Sequence, residues 1–378
     1  MKLCCITTID LTLSSFVTEA MKQFAEEGHE VVLASAMTED FIEKYSGTFR
    51  LIPLPMHRGM SLKDILVMPW RFYRLFRKER FDYIQYATPN ASLYASIAAW
   101  MARSPIRVYC QWGIRYVGLN GMTRRLFKML EHLTCLLSTH IRSASQKNLE
   151  YAVSEGLYPR EKACIIGDGG TIGVNLGEYD ISKKSKFREE IRGRYPILKD
   201  KIVFAFVGRM NRDKGFFELV EAFRQLATER EDVALLIIGP KDDKISINLG
   251  EEGIKKRIIF TGFSNEVPKM MAAADVLVHP SYREGFSMVI QQAMAMALPV
   301  VTTDIPGPSE VITPNVTGLL VKPRNASSLY LGMKQMISRH DQMEKMGMAG
   351  RLRCEEKFNR NRMLRLTYED RMRILTEK

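Results

Sequence analysis

Two short stretches of this 378-residue chain combine residue types that could manage a charged leaving group. In "FVGRMNRDKG", residues 206–215, Arg209 and Lys214 lie in a turn between an apolar, strand-like run and the amphipathic "FFELVEAF". In "YREGFSMVIQQAMAMALPVV", residues 282–301, a lone carboxylate, Glu284, precedes a glycine and a long uncharged stretch that reads as a helix. The first N–H groups of such a helix, from Ser287 to Val289, lack intrahelical acceptors and form an anion site without any side chain. Two cations and a helix start converging on one point would hold a diphosphate and stabilise the charge that builds on it as it departs. No metal ion is required for that. Glu284 would repel a phosphate, so a sugar hydroxyl is its natural partner. Taken singly, each residue also fits a blander role, since turn cations are often solvated and a carboxylate at a helix start complements the dipole.

Other chemistries find less support. The nearest dinucleotide fingerprint, "GDGGTIG" at 167–173, has Ile172 in the last glycine place. P-loop, HExxH and DxD patterns are absent, and the six histidines show no metal-ligand spacing. The six cysteines include no CxxC pair, so neither a disulfide framework nor a zinc site is suggested.

The elements that must position these residues follow an alternation of β-branched apolar runs and amphipathic segments, which predicts parallel sheets with crossover helices. In the first half, strands are expected at "KLCCITTI", "VVLAS", 83–87, 107–112, 139–144 and 163–167. In the second they are expected at 202–208, 234–239, 258–262, 276–281, 300–304 and 317–321. The charged stretch 181–200 marks a boundary, giving Rossmann-like domains at 1–182 and 183–356 and a helical segment, 357–378, long enough to reach back over the first. Two doubly wound sheets place ligands at the carboxyl ends of their strands, hence in a cleft between the domains.

The net charge of +12 is unevenly spread: residues 51–150 hold 15 Lys and Arg against 5 Asp and Glu, and residues 1–50 hold 4 against 8. Such a patch suits an anionic partner. Its densest part is "MPWRFYRLFRKERFD", 68–82, where a helix would turn Phe72, Leu75 and Phe76 to one face with Arg71, Arg74 and Lys78 beside it. Such a helix suits an anionic membrane surface, with Trp70 among the aromatic residues available to the headgroup layer. A crossover helix with a solvated basic side is the alternative. The short apolar run at the N-terminus ends at Asp10, and the uncharged stretches are interrupted, so a cytoplasmic chain without a membrane span is expected.

With these motifs in place, the chain resembles family 4 of the retaining glycosyltransferases, which have the GT-B fold. The likeness rests on "GR-x4-KG" at 208–215 and on 283–301, which looks like the family's E-x7-E helix, and it is weaker at 26–35, 107–118 and 166–180. Those first-domain stretches look most like the branch that builds bacterial capsule, O-antigen and related surface glycans. The resemblance implies sugar transfer from a nucleotide diphosphate donor, here a UDP-sugar, with retention and without metal or other cofactor. Residue by residue, Gly208, Arg209 and Lys214 would face the diphosphate, and Gly285 to Val289, through Phe286, Ser287 and Met288, would present backbone to it. Glu284 would hold the donor sugar, Gln292 the ribose, and Gly262 and Phe263 the base. Ser14, Ser15 and Arg115 would lie on the acceptor side, with a polyprenyl-diphosphate-linked glycan as acceptor at the inner face of the cytoplasmic membrane. The chain departs from the family where Gln292 replaces the second glutamate, where "TTIDLTLSSF" replaces a glycine-rich loop, and where Gln85, Ala87 and Gln111 stand at or near histidine positions. The rivals are a GT-B epimerase or phosphorylase and, outside enzymology, a basic nucleic-acid-binding protein, for which no recognisable module is present.

Overall fold

The computed structural model describes residues 1–57, 59, 61–242, 246 and 248–377. Residues 1–172 and 361–378 make one compact unit and residues 173–360 another.

The first unit is built on a seven-stranded sheet: β1 (Lys2–Ile9), β2 (Glu30–Ala36), β3 (Arg50–Pro53), β4 (Tyr83–Ala87), β5 (Ile106–Gln111), β6 (His140–Ser143) and β7 (Ala163–Cys164). The second has six strands: β8 (Ile202–Val207), β9 (Val233–Ile238), β10 (Ile258–Gly262), β11 (Val276–His279), β12 (Val300–Thr303) and β13 (Gly318–Val321). The orders are 3-2-1-4-5-6-7 and 10-9-8-11-12-13. All pairings between these strands are parallel. Parallel strands need crossovers, and helices covering both faces bury the strands completely, which is why β9 reads as an unbroken "VALLII" with every residue buried.

Each sheet reverses direction once, between β1 and β4 in the first unit and between β8 and β11 in the second. The diverging loops at such a point leave a crevice at the carboxyl ends of the two strands. The residues after β8 and β11 are "GRMNRDKG" and "PSYREGFS", the two motifs singled out above.

Six helices bear on the function: α1 (Leu62–Glu79), α2 (Pro89–Met101), α3 (Gly121–Leu137), α4 (Phe216–Glu229), α5 (Met288–Ala295) and α6 (Arg360–Thr376). α1 starts at Ser61, whose side chain accepts from the Asp64 N–H, and stops at Arg80 in the left-handed region. Its Phe72 and Phe76 are buried, and Glu79 receives Lys2 and Arg50. α6 packs on the first sheet through Arg142, which donates to Asp370 at 2.6 and 2.8 Å, and through Arg371, which donates twice to Gln85 Oε1.

The structure departs from the expected strands in two places. β3 was not anticipated: it is a four-residue edge strand whose residues are half-buried or exposed, too short for a period to show. The strand expected over 163–167 is only Ala163–Cys164, also at a sheet edge.

Candidate functional site

The turn after β8 is shaped by two residues. Asn211 accepts the Lys214 N–H at 3.1 Å on its side-chain oxygen, closing one turn of 3-10 helix. Gly215 then adopts φ +68°, and a Cβ there would stand 2.0 Å from the Pro280 carbonyl oxygen, so only glycine lets this turn lie against the end of β11. The two motifs are joined at three further points. The Tyr282 N–H donates to the Asp213 carbonyl at 2.8 Å, Arg283 pairs with Asp213 at 2.7 Å, and the Tyr282 hydroxyl donates to Glu218.

The contact that matters most for chemistry is an ion pair between Lys214 Nζ and Glu284 Oε1, side chains that are 25% and 16% exposed. The same oxygen accepts from Ser281 Oγ at 2.9 Å and lies 3.2 Å from His279 Nε2. Burial alone would raise the Glu284 pKa, but the Lys214 charge and the His279 hydrogen bond outweigh it and hold the carboxyl well below the usual carboxylate range. Burial depresses His279 in spite of Glu284, so the imidazole is neutral at pH 7. His279 Nε2 also sits 3.1 Å from Ser287 Oγ. Both oxygens favour the tautomer with its proton on Nε2, and the buried Nδ1 is then without a partner among the described residues.

α5 begins at Ser287, whose hydroxyl accepts from the Ile290 N–H. Among the described residues, the N–H groups of Ser287 and Val289 donate to no acceptor. Gly307, at φ +91°, brings its backbone against this loop, where a Cβ would stand 2.4 Å from the Gly285 oxygen.

Two pockets adjoin the site. One, of about 650 Å³, is lined by Asn211, Asp213, Phe217, Glu218 and Tyr282 among others. The other, of about 350 Å³, runs past the carboxyl ends of β8, β9 and β10 and is lined by Met210, Phe216, Lys241, Leu249, Phe260 and Gly262.

The structure therefore brings Lys214, Glu284 and Ser287 together. Arg209 is exposed, and among the described residues its side chain has no hydrogen bond or ion pair. Gln292 is half-buried, Phe263 is exposed, and the Phe286 ring is buried against Phe358 at 5.4 Å between centroids, which leaves only its backbone to face a ligand. Gly208 directly follows β8, Gly285 lies in the loop before α5, and Met288 is the first residue of that helix. In the first unit Ser14 and Ser15 are half-buried, and Ser14 Oγ donates to the Leu11 carbonyl. Arg71, Arg74 and Lys78 are exposed, Arg74 stands over the Trp70 ring, and Arg115 stands over Phe127. Of the aromatic residues between 68 and 82, Phe72, Phe76 and Phe81 are core, Tyr73 is half-buried and stacks on Trp70 at 5.2 Å between centroids, and Trp70 is exposed. Gln85 and Gln111 are engaged internally, the first by Arg371, the second by Glu131 and Tyr158.

Sequence reasoning missed His279 and Ser281. The available signal was a polar pair closing the apolar run "VLVHPS", directly before the Glu284 motif.

Comparison with known proteins identifies the two domains. Residues 187–353 match the family described as glycosyl transferases group 1, and residues 13–169 match the glycosyl transferase 4-like domain. A capsular polysaccharide biosynthesis glycosyltransferase of Staphylococcus aureus, CapM, is 26% identical over 81% of this chain and 80% of its own length. A UDP-Gal:alpha-D-GlcNAc-diphosphoundecaprenol alpha-1,3-galactosyltransferase of Escherichia coli is 24% identical over 72% of this chain and 70% of its own. Among solved structures, Anabaena HepE in complex with UDP superposes over the full length of both chains with a TM-score of 0.77 at 18% identity. The protein is a glycosyltransferase of GT-B fold, with a glycosyl transferase 4-like domain followed by a group 1 domain.

Proposed function

We propose that this enzyme moves a sugar from a UDP-sugar to a polyprenyl-diphosphate-linked glycan in bacterial surface polysaccharide biosynthesis, with retention and without a metal ion. The observation that carries the donor half is the Lys214–Glu284 pair across the switch point between β8 and β11. It sets a cation and a carboxylate held ionised by that cation beside the open N–H groups at the start of α5. Lys214, Arg209 and those N–H groups supply the positive potential for a departing diphosphate, and Glu284 takes the donor sugar's hydroxyls. The apolar walls of Phe216 and Phe260 suit a base, and Gln292 a ribose.

Transfer proceeds by attack of the acceptor hydroxyl on the face that the diphosphate is leaving. The bond from the anomeric carbon to the phosphate oxygen breaks as the new glycosidic bond forms, and the acceptor proton passes to the departing phosphate oxygen. The names of the Staphylococcus and Escherichia relatives support the pathway and the acceptor class. Peripheral attachment to the inner membrane face is part of the same reading: α1 offers Arg71, Arg74 and Lys78 to anionic lipid, and among the described residues no helix is long and apolar enough to cross a membrane.

The test is turnover of a panel of nucleotide sugars with lipid-linked acceptors, read by product mass. Arg209→Ala should lose roughly 10²–10³ in turnover with UDP-linked donors, the scale of one leaving-group stabiliser. Activity within twofold of wild type rejects that assignment.

A further inference from the structure

The first unit carries an apolar groove that the donor chemistry does not use. A pocket of about 200 Å³ opens over the N-terminal end of α2, walled by Ile65 of α1, Leu93 of α2 and Leu126, Phe127 and Leu130 of α3, with Arg115 at its edge. Its two walls continue onto the surface as apolar stripes. On α1, Leu62, Leu66 and Trp70 are 80, 78 and 49% exposed, at the i, i+4, i+8 spacing of one helix face. On α3, Met122, Leu126 and Met129 are 76, 41 and 59% exposed, at i, i+4, i+7. Single exposed apolar residues are ordinary, but two stripes flanking one groove form a patch of the kind that marks a binding surface.

Three observations identify the occupant. The groove lies at the carboxyl end of the first sheet, because Pro89 and Asn90 follow β4 directly and Arg115 follows β5 closely. That is next to the switch point between β1 and β4, where a doubly wound sheet receives a ligand's polar head. The surroundings carry cations: Arg115 lies in the lining and Arg125 is exposed on α3, while Arg124 and Lys128 pair with Glu155 at 3.1 and 2.9 Å. α1 adds the exposed Lys63 and Arg71. The one acid in the lining, Glu131, is buried and already engaged: it accepts from the Tyr109 hydroxyl at 2.9 Å and from Gln111 Nε2 at 2.7 Å. An apolar chain with an anionic head is the complement of an apolar groove with a basic rim.

We propose that the groove between α1, α2 and α3 seats the isoprenyl chain of the acceptor and that its basic rim takes the diphosphate. This rests on the lipid-linked acceptor reading above and adds the place where the lipid is held.

Full-length protein is irradiated with a fifteen-carbon isoprenyl diphosphate bearing a photoreactive group at the chain end, and labelled peptides are identified by mass spectrometry. Label is expected in 62–70 and 122–130, competed by unlabelled isoprenyl diphosphate and not by inorganic diphosphate. Leu66→Glu and Leu126→Glu lie at the exposed rim, where a carboxylate leaves the core intact. Each should weaken labelling about tenfold or more by removing apolar contact and adding a charge, while the rise in melting temperature caused by UDP stays unchanged. Labelling elsewhere, or unchanged affinity in both variants, overturns the groove. Competition by inorganic diphosphate as strong as that by the lipid means a phosphate site with no seat for the chain, and also overturns it. Failure of the acceptor reading looks different: the enzyme would glycosylate a soluble glycan and no lipid-linked one, whatever the pattern of labelling.

Discussion

Replacing Lys214 with methionine separates the two roles that its position implies. The stem of the side chain is kept, and only the charge beside Glu284 is lost. At an effective dielectric of about 20, unit charges roughly 4 Å apart attract by about 4 kcal/mol, before the cost of drawing both from water is subtracted. Breaking a fully buried pair costs about 3–5 kcal/mol, but here Lys214 is one-quarter exposed and Ser281 and His279 still serve Glu284, so about 1–3 kcal/mol of stability should be lost. Glu284→Gln should cost less, because the freed ammonium can turn to water. In the double variant the two losses should fail to add by about 1–2 kcal/mol. The effects on the reaction should run differently. Lys214→Met is expected to weaken UDP binding and to lower turnover by roughly 10²–10³. Glu284→Gln releases Lys214 toward the diphosphate, so UDP should bind as well as before or several-fold better, while turnover falls because the sugar is no longer oriented. The assays are urea denaturation of the four proteins, UDP titration calorimetry and donor turnover. If Glu284→Gln weakened UDP as much as Lys214→Met does, Glu284 would be a nucleotide ligand and the reasoning would fail.

Three more outcomes follow from the same geometry. Gly215→Ala forces a positive φ on an L-residue against the Pro280 carbonyl and should cost more than about 2 kcal/mol together with most of the activity; a melting temperature equal to wild type would show that the turn relaxes freely. Burial holds the folded-state pKa of His279 below the ordinary histidine value of 6.5. Between that lowered pKa and 6.5 the unfolded chain binds the extra proton, so stability should rise with pH through this window. In His279→Asn that part of the pH dependence should vanish, and denaturation midpoints at several pH values decide it. Reversing the charges of Arg71, Arg74 and Lys78 should release the protein from anionic vesicles, at about 1 kcal/mol per cation, with activity on a short soluble acceptor retained; unchanged co-sedimentation would defeat the membrane reading.

The architecture was legible because parallel sheets buried on both faces demand apolar runs, and twelve of the thirteen strands declare themselves that way. β3 did not, since a half-exposed edge of four residues carries no period. At the site, Lys214 and Glu284 were each recognisable from the turn or helix start beside them. Their pairing was not, because they are 70 residues apart in sequence and meet only through the adjacency of β8 and β11. His279 escaped notice for a related reason: a histidine inside a strand resembles core until its ring is seen between Glu284 and Ser287. The basic aromatic stretch was read correctly as a helix with Phe72 and Phe76 on one face, but the extent of the apolar surface depends on α3, which packs beside α2 and has no link to α1 in the sequence.

The central claim is that protein cations and helix N–H groups, rather than a metal, carry a diphosphate away while the sugar keeps its anomeric configuration. It is tested most directly by running the transfer in excess EDTA with a UDP-sugar and a lipid-linked acceptor and reading the product's anomeric coupling by proton NMR. The account predicts a rate close to that without chelator and a product of the donor's configuration. An inverted product, or activity abolished by EDTA and restored by magnesium, would contradict it.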